Sequence, residues 1–151
     1  MRELGFEPAQ ELNLYLNTPI QFIIMFSEIR KILEKEKHIV FAYLFGSSLQ
    51  RPEYSNDMDI AIFVKNKPKP RYELELGLKI EKEIKKPVDV IVLNDKPLLI
   101  ISEVLRNGKL IFSRDDKRRV KFETANLSNI LSFNELMKEF ERRRFERYGI
   151  R

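Results

Sequence analysis

The stretch Phe45–Val64, FGSSLQRPEYSNDMDIAIFV, limits the fold more than any other part of this chain. A turn of small residues, Gly46-Ser47-Ser48, comes first, an irregular loop follows, and then two carboxylates, Asp57 and Asp59, enter an apolar run. Read with the two-residue period of a strand, Met58, Ile60, Ile62 and Val64 share one face while Asp57 and Asp59 share the other. Two carboxylates held side by side at the buried end of a strand repel each other, so one takes up a proton or a cation sits between them. A later run, PVDVIVL, carries Asp89 where an uncompensated charge costs most. A structural salt bridge or hydrogen bond is the plain explanation for Asp89. Convergence on the two carboxylates of a neighbouring strand is the more economical one.

An oxygen-only donor set of this kind suits magnesium, which keeps several waters and takes one or two carboxylates together with substrate phosphates. Gly46 lets the backbone approach a ligand closely, and amides beside the Ser47 and Ser48 hydroxyls can donate to an anion where a helix begins. Arg51 is a further candidate for a phosphate, although a loop arginine is more often simply solvated. Taken singly, a Gly-Ser pair is a turn and Asp-x-Asp is a common surface pattern. Their order is more specific: strand, Gly-Ser, loop, two carboxylates entering a second strand, and a carboxylate inside a third. Together these residues read as a metal and nucleotide site.

That order resembles the polymerase-beta-like nucleotidyltransferases, and within them the small minimal nucleotidyltransferase group, over about residues 38 to 113. The resemblance implies that the Gly46-Ser47 turn holds a triphosphate and that Asp57 and Asp59 carry the metals. It also implies that Asp89 completes the site and helps to activate the attacking hydroxyl. The expected reaction is transfer of a nucleoside monophosphate, AMP from ATP with two magnesium ions, to a hydroxyl acceptor. Small stand-alone members often act as antitoxins beside a helical HEPN ribonuclease, adding AMP to one of its tyrosines, so a HEPN toxin is the implied partner. The chain departs from the group's pattern in carrying Leu49, Gln50 and Arg51 where many members have a small-Arg-Gly run, and Asn56-Asp57 where most have Ser-Asp. Those departures keep two alternatives open: a non-catalytic binding module of the same fold, and transfer to a small molecule or an RNA end.

At 151 residues the chain is long enough to bury a core without disulfides, and with no cysteine it has neither disulfides nor thiolate metal sites. No run has the apolar length of a membrane span and no signal-peptide pattern opens the sequence, so a soluble, cytoplasmic protein is expected. His38 is the only histidine, which argues against a Ser-His-Asp hydrolase built on Ser47 or Ser48. Of the formal net charge of +5, residues from Arg114 onward carry +4.

Residues 1–18 lack a sustained period and read as an N-terminal arm, 19–113 as a nucleotidyltransferase domain, and 114–151 as a C-terminal helical extension packed on it. Helical spacing of apolar residues from Pro19 to Leu33 predicts a helix ahead of the first strand, Ile39 to Phe45. A helix from about Tyr72 leads into the strand Val88 to Leu93. Asn94-Asp95 reads as a turn, Leu98 to Leu105 as a short helix stopped at Gly108, and Lys109 to Phe112 as a fourth strand. The fold class expected is α/β (α+β): a small mixed β-sheet with helices mainly on one face, followed by two C-terminal helices over about 117–130 and 133–148. The last carries an apolar stripe, Phe133, Leu136, Met137, Phe140, Phe145 and Tyr148, expected to lie opposite Arg142, Arg143 and Arg147. Nucleic acid is not favoured as a partner, because no stacking-aromatic motif is present and glutamates alternate with the basic residues.

Overall fold

The computed structural model describes residues 20–50 and 57–149. The expected arm 1–18, Arg51 with its loop, and the side chain of Ser48 lie outside the described residues.

Strand β1 (Ile39–Phe45) is apolar along its whole length because both of its faces are covered. It pairs antiparallel with β2 (Met58–Val64) on one side and with β4 (Lys109–Ser113) on the other. Strand β3 (Val88–Val92) pairs parallel with β2, which gives a mixed sheet of order β3-β2-β1-β4. A parallel neighbour requires a crossover, and helix α3 (Tyr72–Ile84) supplies it.

One face of the sheet presents Leu44, Met58, Ile60, Ile62, Val90 and Val92. Helix α1 (Ile20–Lys35) covers that face through Ile29 and Leu33, and α3 covers it through Leu76 and Ile80. The opposite face presents Val40, Phe41, Tyr43 and Ala61. It is covered by Ile101 and Val104 of α4 (Leu98–Asn107) and by Phe122 of α5 (Asp116–Tyr148). The mixed sheet is as expected, but the helices are shared between two faces and do not lie mainly on one. The stripes of α4 and α5 each demand burial without specifying which side of the sheet provides it. Adjacent residues Val40 and Phe41 both turn to the second face because the register shifts between Ile39 and Phe41.

The C-terminal region is a single 33-residue helix where two were expected. The polar stretch around Ser128, Ser132 and Asn134 does not interrupt it. Ser132 Oγ donates to the Ser128 carbonyl at 3.1 Å, satisfying itself against the helix backbone, and neither glycine nor proline occurs between Asp116 and Tyr148. Its start is capped by the Asp115 carboxylate, which accepts from the Arg118 amide at 3.0 Å. Gly108 does end α4, but not as a left-handed cap: its φ is −78°. A Cβ there would overlap the Val104 carbonyl oxygen and lie 3.3 Å from that of Leu44, so glycine is required for space.

Two polar ties hold the sheet's ends. Asn94, in the turn Leu93–Asp95, accepts from Val64 N at 3.0 Å and donates to Val64 O at 2.8 Å, fastening the end of β2 to the end of β3. The Arg114 guanidinium donates to the carbonyls of Glu34, Glu36 and Ile39 at 2.6, 3.0 and 2.6 Å, closing the last turn of α1 onto the end of β4. Among the described residues no helix is long and apolar enough to cross a membrane.

Candidate active site

The sheet brings Gly46, Asp59 and Asp89 to one end. Antiparallel register sets Asp59 opposite Phe45, the last residue of β1, so Gly46 comes directly against the start of β2. Parallel register sets Asp59 beside Asp89 on β3. Strands lie about 4.8 Å apart, so two in-register carboxylates on one face are neighbours. The alternation places Asp59 and Asp89 together: Met58 and Ile60, like Val90 and Val92, belong to the α1/α3 side, leaving the carboxylates on the side of α4 and α5. Asp57 immediately precedes β2, whose first amide, Met58 N, donates to Pro87 O at 2.9 Å and locks the two strand starts together.

The electrostatics follow from this packing. Burial pushes the Asp59 carboxyl above the ordinary carboxylate range, and the neighbouring charges of Asp89 and then Asp57 push it further in the same direction. Asp57 and Asp89 are exposed, whereas Asp59 is half-buried. Gly46 has φ +83°, in the left-handed region, and a Cβ on it would overlap Asp59 Oδ2 and approach Asp59 Cγ to 3.1 Å. The sequence marks Gly46 only as a place of close ligand approach. Its tight fit against Asp59 becomes visible once the strand register is known. Ser47 opens the short helix α2 (Ser47–Gln50) and is exposed; the Leu49 amide returns to Gly46 O at 3.3 Å.

The donor set fits a hard divalent cation in chemistry, since it is oxygen-only and its central member is raised by like charge. Among the described residues, however, no group of three acidic, histidine or cysteine side chains is already arranged to hold a metal ion. The carboxylates are therefore neighbours in charge without forming a closed cage.

A mixed four-stranded sheet with an α-helical crossover, an acidic strand start and a glycine turn packed against it is the fold of a nucleotidyltransferase. The sequence pattern of the family described as "Polymerase beta, Nucleotidyltransferase" matches residues 27–117, and the chain belongs to that family. No curated protein sequence matches it. Solved structures share the fold. A chain from the complex of tri-AMPylated Shewanella oneidensis HEPN toxin with MNT antitoxin superposes with a TM-score of 0.64 at 20% identity, covering 80% of this chain and 95% of that one. A chain from a toxin-antitoxin structure with AMP-PNP gives 0.65 at 21% identity, with 76% and 94% covered. A third, from the toxin-antitoxin MntA-HepT, gives 0.63 at 19%, with 78% and 93% covered.

Proposed function

We propose that this nucleotidyltransferase moves AMP from ATP to a tyrosine hydroxyl of a HEPN toxin and acts as that toxin's antitoxin in the cytoplasm. The observation that carries the reading is the register of Asp59 with Asp89 beside the Gly46 turn. Support for the acceptor comes from structures of the same fold, one complexed with an AMPylated HEPN toxin and another holding AMP-PNP.

Asp57, Asp59 and Asp89 would hold magnesium, two ions in all. When bound, the ions would lower the pKa of the acceptor hydroxyl and draw charge from the leaving pyrophosphate. The chain's own residues orient the reaction. The Gly46-Ser47 turn presents its backbone to the triphosphate without a side chain in the way, and Ser48 and Arg51 are further candidates to bind it. Asp89, exposed at the start of β3, would receive the proton of the hydroxyl as its oxygen bonds to the α-phosphorus. The bond from that phosphorus to the bridging oxygen breaks, and pyrophosphate leaves. Positioning and fixed charge account for most of the acceleration in such transfers.

Incubation of the protein with α-labelled ATP, magnesium and a HEPN partner tests this. Label should pass to a partner tyrosine and should be lost with Asp57→Ala or Asp59→Ala. Tight partner binding with no transfer would reject the enzyme in favour of inhibition by contact, and label on RNA or a small molecule would reject the acceptor alone. Magnesium with ATP should raise the melting temperature of the wild type and raise that of Asp89→Asn less.

A further inference from the structure

Ile130 is the one buried residue of helix α5, and beyond Phe133 and Asn134, which border a cleft against α4, no described residue of the helix is buried. Phe133, Leu136, Met137, Phe140, Phe145 and Tyr148 are 38–66% exposed. At about 100° per residue they continue the face by which Phe122 and Ile130 pack on the domain. The opposite side is charged and already satisfied internally. Arg142 pairs with Glu139 at 2.7 Å and with Glu146 at 2.6 Å, and Arg143 pairs with Glu139 at 2.8 Å. Among the described residues this half of the helix thus keeps an exposed apolar face and, opposite it, a face whose charges neutralise one another.

We propose that this face joins two copies of the chain as an antiparallel helix pair. The argument for a second copy lies in the order of residues along the seam. Met137, Glu141, Arg144 and Tyr148 follow one another at the four-three-four spacing of a helix-helix contact, flanked by Phe140 and Phe145. A two-fold axis midway between Arg142 and Arg143 sets Met137 against Tyr148 and Glu141 against Arg144, each twice, with Phe140 flanking one side of the seam and Phe145 the other, each beside its own counterpart. Glu141 and Arg144 are the charges at the centre of the seam, with Arg147 at its flank, and neither Glu141 nor Arg144 belongs to an ion pair among the described residues. The seam is therefore complementary to itself in charge, with Met137 meeting Tyr148 at each end.

On the domain side the exposed apolar face ends at Phe133. There a cleft of about 380 Å³ opens between α4 and α5, lined by Leu98, Leu99 and Ile130 among others. Phe140, Phe145 and Tyr148, about half exposed, would bury roughly 300 Å² per copy. Met137 adds to this, and the contact stays below the ~800 Å² per partner of a standard interface. A reversible, concentration-dependent dimer is the expected result.

Sedimentation velocity on the full chain alone, without nucleotide or acceptor, tests the proposal independently of transfer activity. The wild type should shift from monomer to dimer with concentration, and Phe140→Asp should remain monomeric at an unchanged melting temperature. Glu141→Arg and Arg144→Glu should each weaken dimerisation by at least about tenfold, and the two together in one chain should restore it. A wild type that is monomeric at all concentrations overturns the proposal, including the case in which α5 engages only an added acceptor protein. A dimer indifferent to the charge exchange also overturns it, since that contact would not be this seam.

Discussion

Gly46→Ala isolates what the glycine turn does for the site. An alanine at φ +83° pays the left-handed penalty of about 1–2 kcal/mol, which for a chain of this size lowers Tm by roughly 3–8 °C. The larger effect is local. The new methyl would occupy the position of Asp59 Oδ2, and the carboxylate must retreat by about 1 Å to reach ordinary van der Waals distance. A displacement of that size at a reacting group costs on the order of 100-fold in rate. Gly149→Ala serves as the control, because Gly149 also has a positive φ, +64°, but nothing lies within 4 Å of its added Cβ. It carries the backbone strain without the overlap and should leave transfer intact. The two variants are compared by thermal melting and by initial rate of label transfer under saturating ATP. If Gly46→Ala transfers as fast as Gly149→Ala, Asp59 is not the constrained group and the site is drawn wrongly.

Asp59→Asn should abolish transfer yet stabilise the metal-free protein, because it removes a like-charge cross-strand contact worth roughly 0.2–1 kcal/mol. The sign follows from the raised carboxyl. Its contribution to stability is complete below the unfolded pKa and is lost as pH rises through the folded one, so the variant's advantage should grow with pH over that window and vanish below it. Phe122→Ala should cost about 2–4 kcal/mol, because its ring lies 5.5 Å from Phe41 and 5.1 Å from Phe63 and anchors α5 to the sheet; a smaller loss in chemical denaturation would mean that α5 is held elsewhere. Asn94→Ala should cost about 1–2 kcal/mol through its two lost bonds to Val64, with transfer per folded molecule unchanged. Hydrogen bonds from Arg142 and Arg143 hold the Glu139 carboxyl down at about 2. Its support for the end of α5 should therefore be present above pH 4.5 and fade toward pH 2, a change in far-UV circular dichroism that Glu139→Gln should lack.

The acidic group was legible because strand periodicity is short-ranged. Alternation within MDIAIFV and VDVIV assigns Asp59 and Asp89 to faces without knowledge of the rest of the fold. Their adjacency required more, namely that β3 lie beside β2 and run parallel to it, which the strand register shows. What was not legible depends on contacts distant in sequence. The apolar stripe of α4 is the same whichever face it covers, and only the second cluster around Phe41 and Tyr43 shows that it lies opposite α1 and α3. The buried Tyr43 hydroxyl, which donates to Glu123 of α5, could not be anticipated from a strand reading that treats Tyr43 as one more apolar residue. Ser128, Asn129, Ser132 and Asn134 do not divide α5 into the two helices expected, because propensity alone is too weak to stop a helix that is anchored on one side by Phe122 and Ile130.

The placement of α5 also bears on the acceptor. Phe122 lies over Phe41 and Phe63, at the end of the sheet where β1 begins and β2 finishes, opposite the end that holds Asp59. The helix thus seals the far end of that face, while Ser47, Asp57 and Asp89 remain exposed at the near end. Small-molecule sites work by enclosing most of the ligand in a walled cavity; among the described residues Asp89 borders an open cleft of about 370 Å³ against α3, and Asp57 is exposed. A macromolecular acceptor would bring its own walls, so the proposed transfer to a protein tyrosine suits this open edge better than transfer to a free small molecule would. Competition measures the difference: an excess of free tyrosine or tyrosinamide should leave transfer to the HEPN partner undiminished, and efficient labelling of either would refute the argument from the open edge.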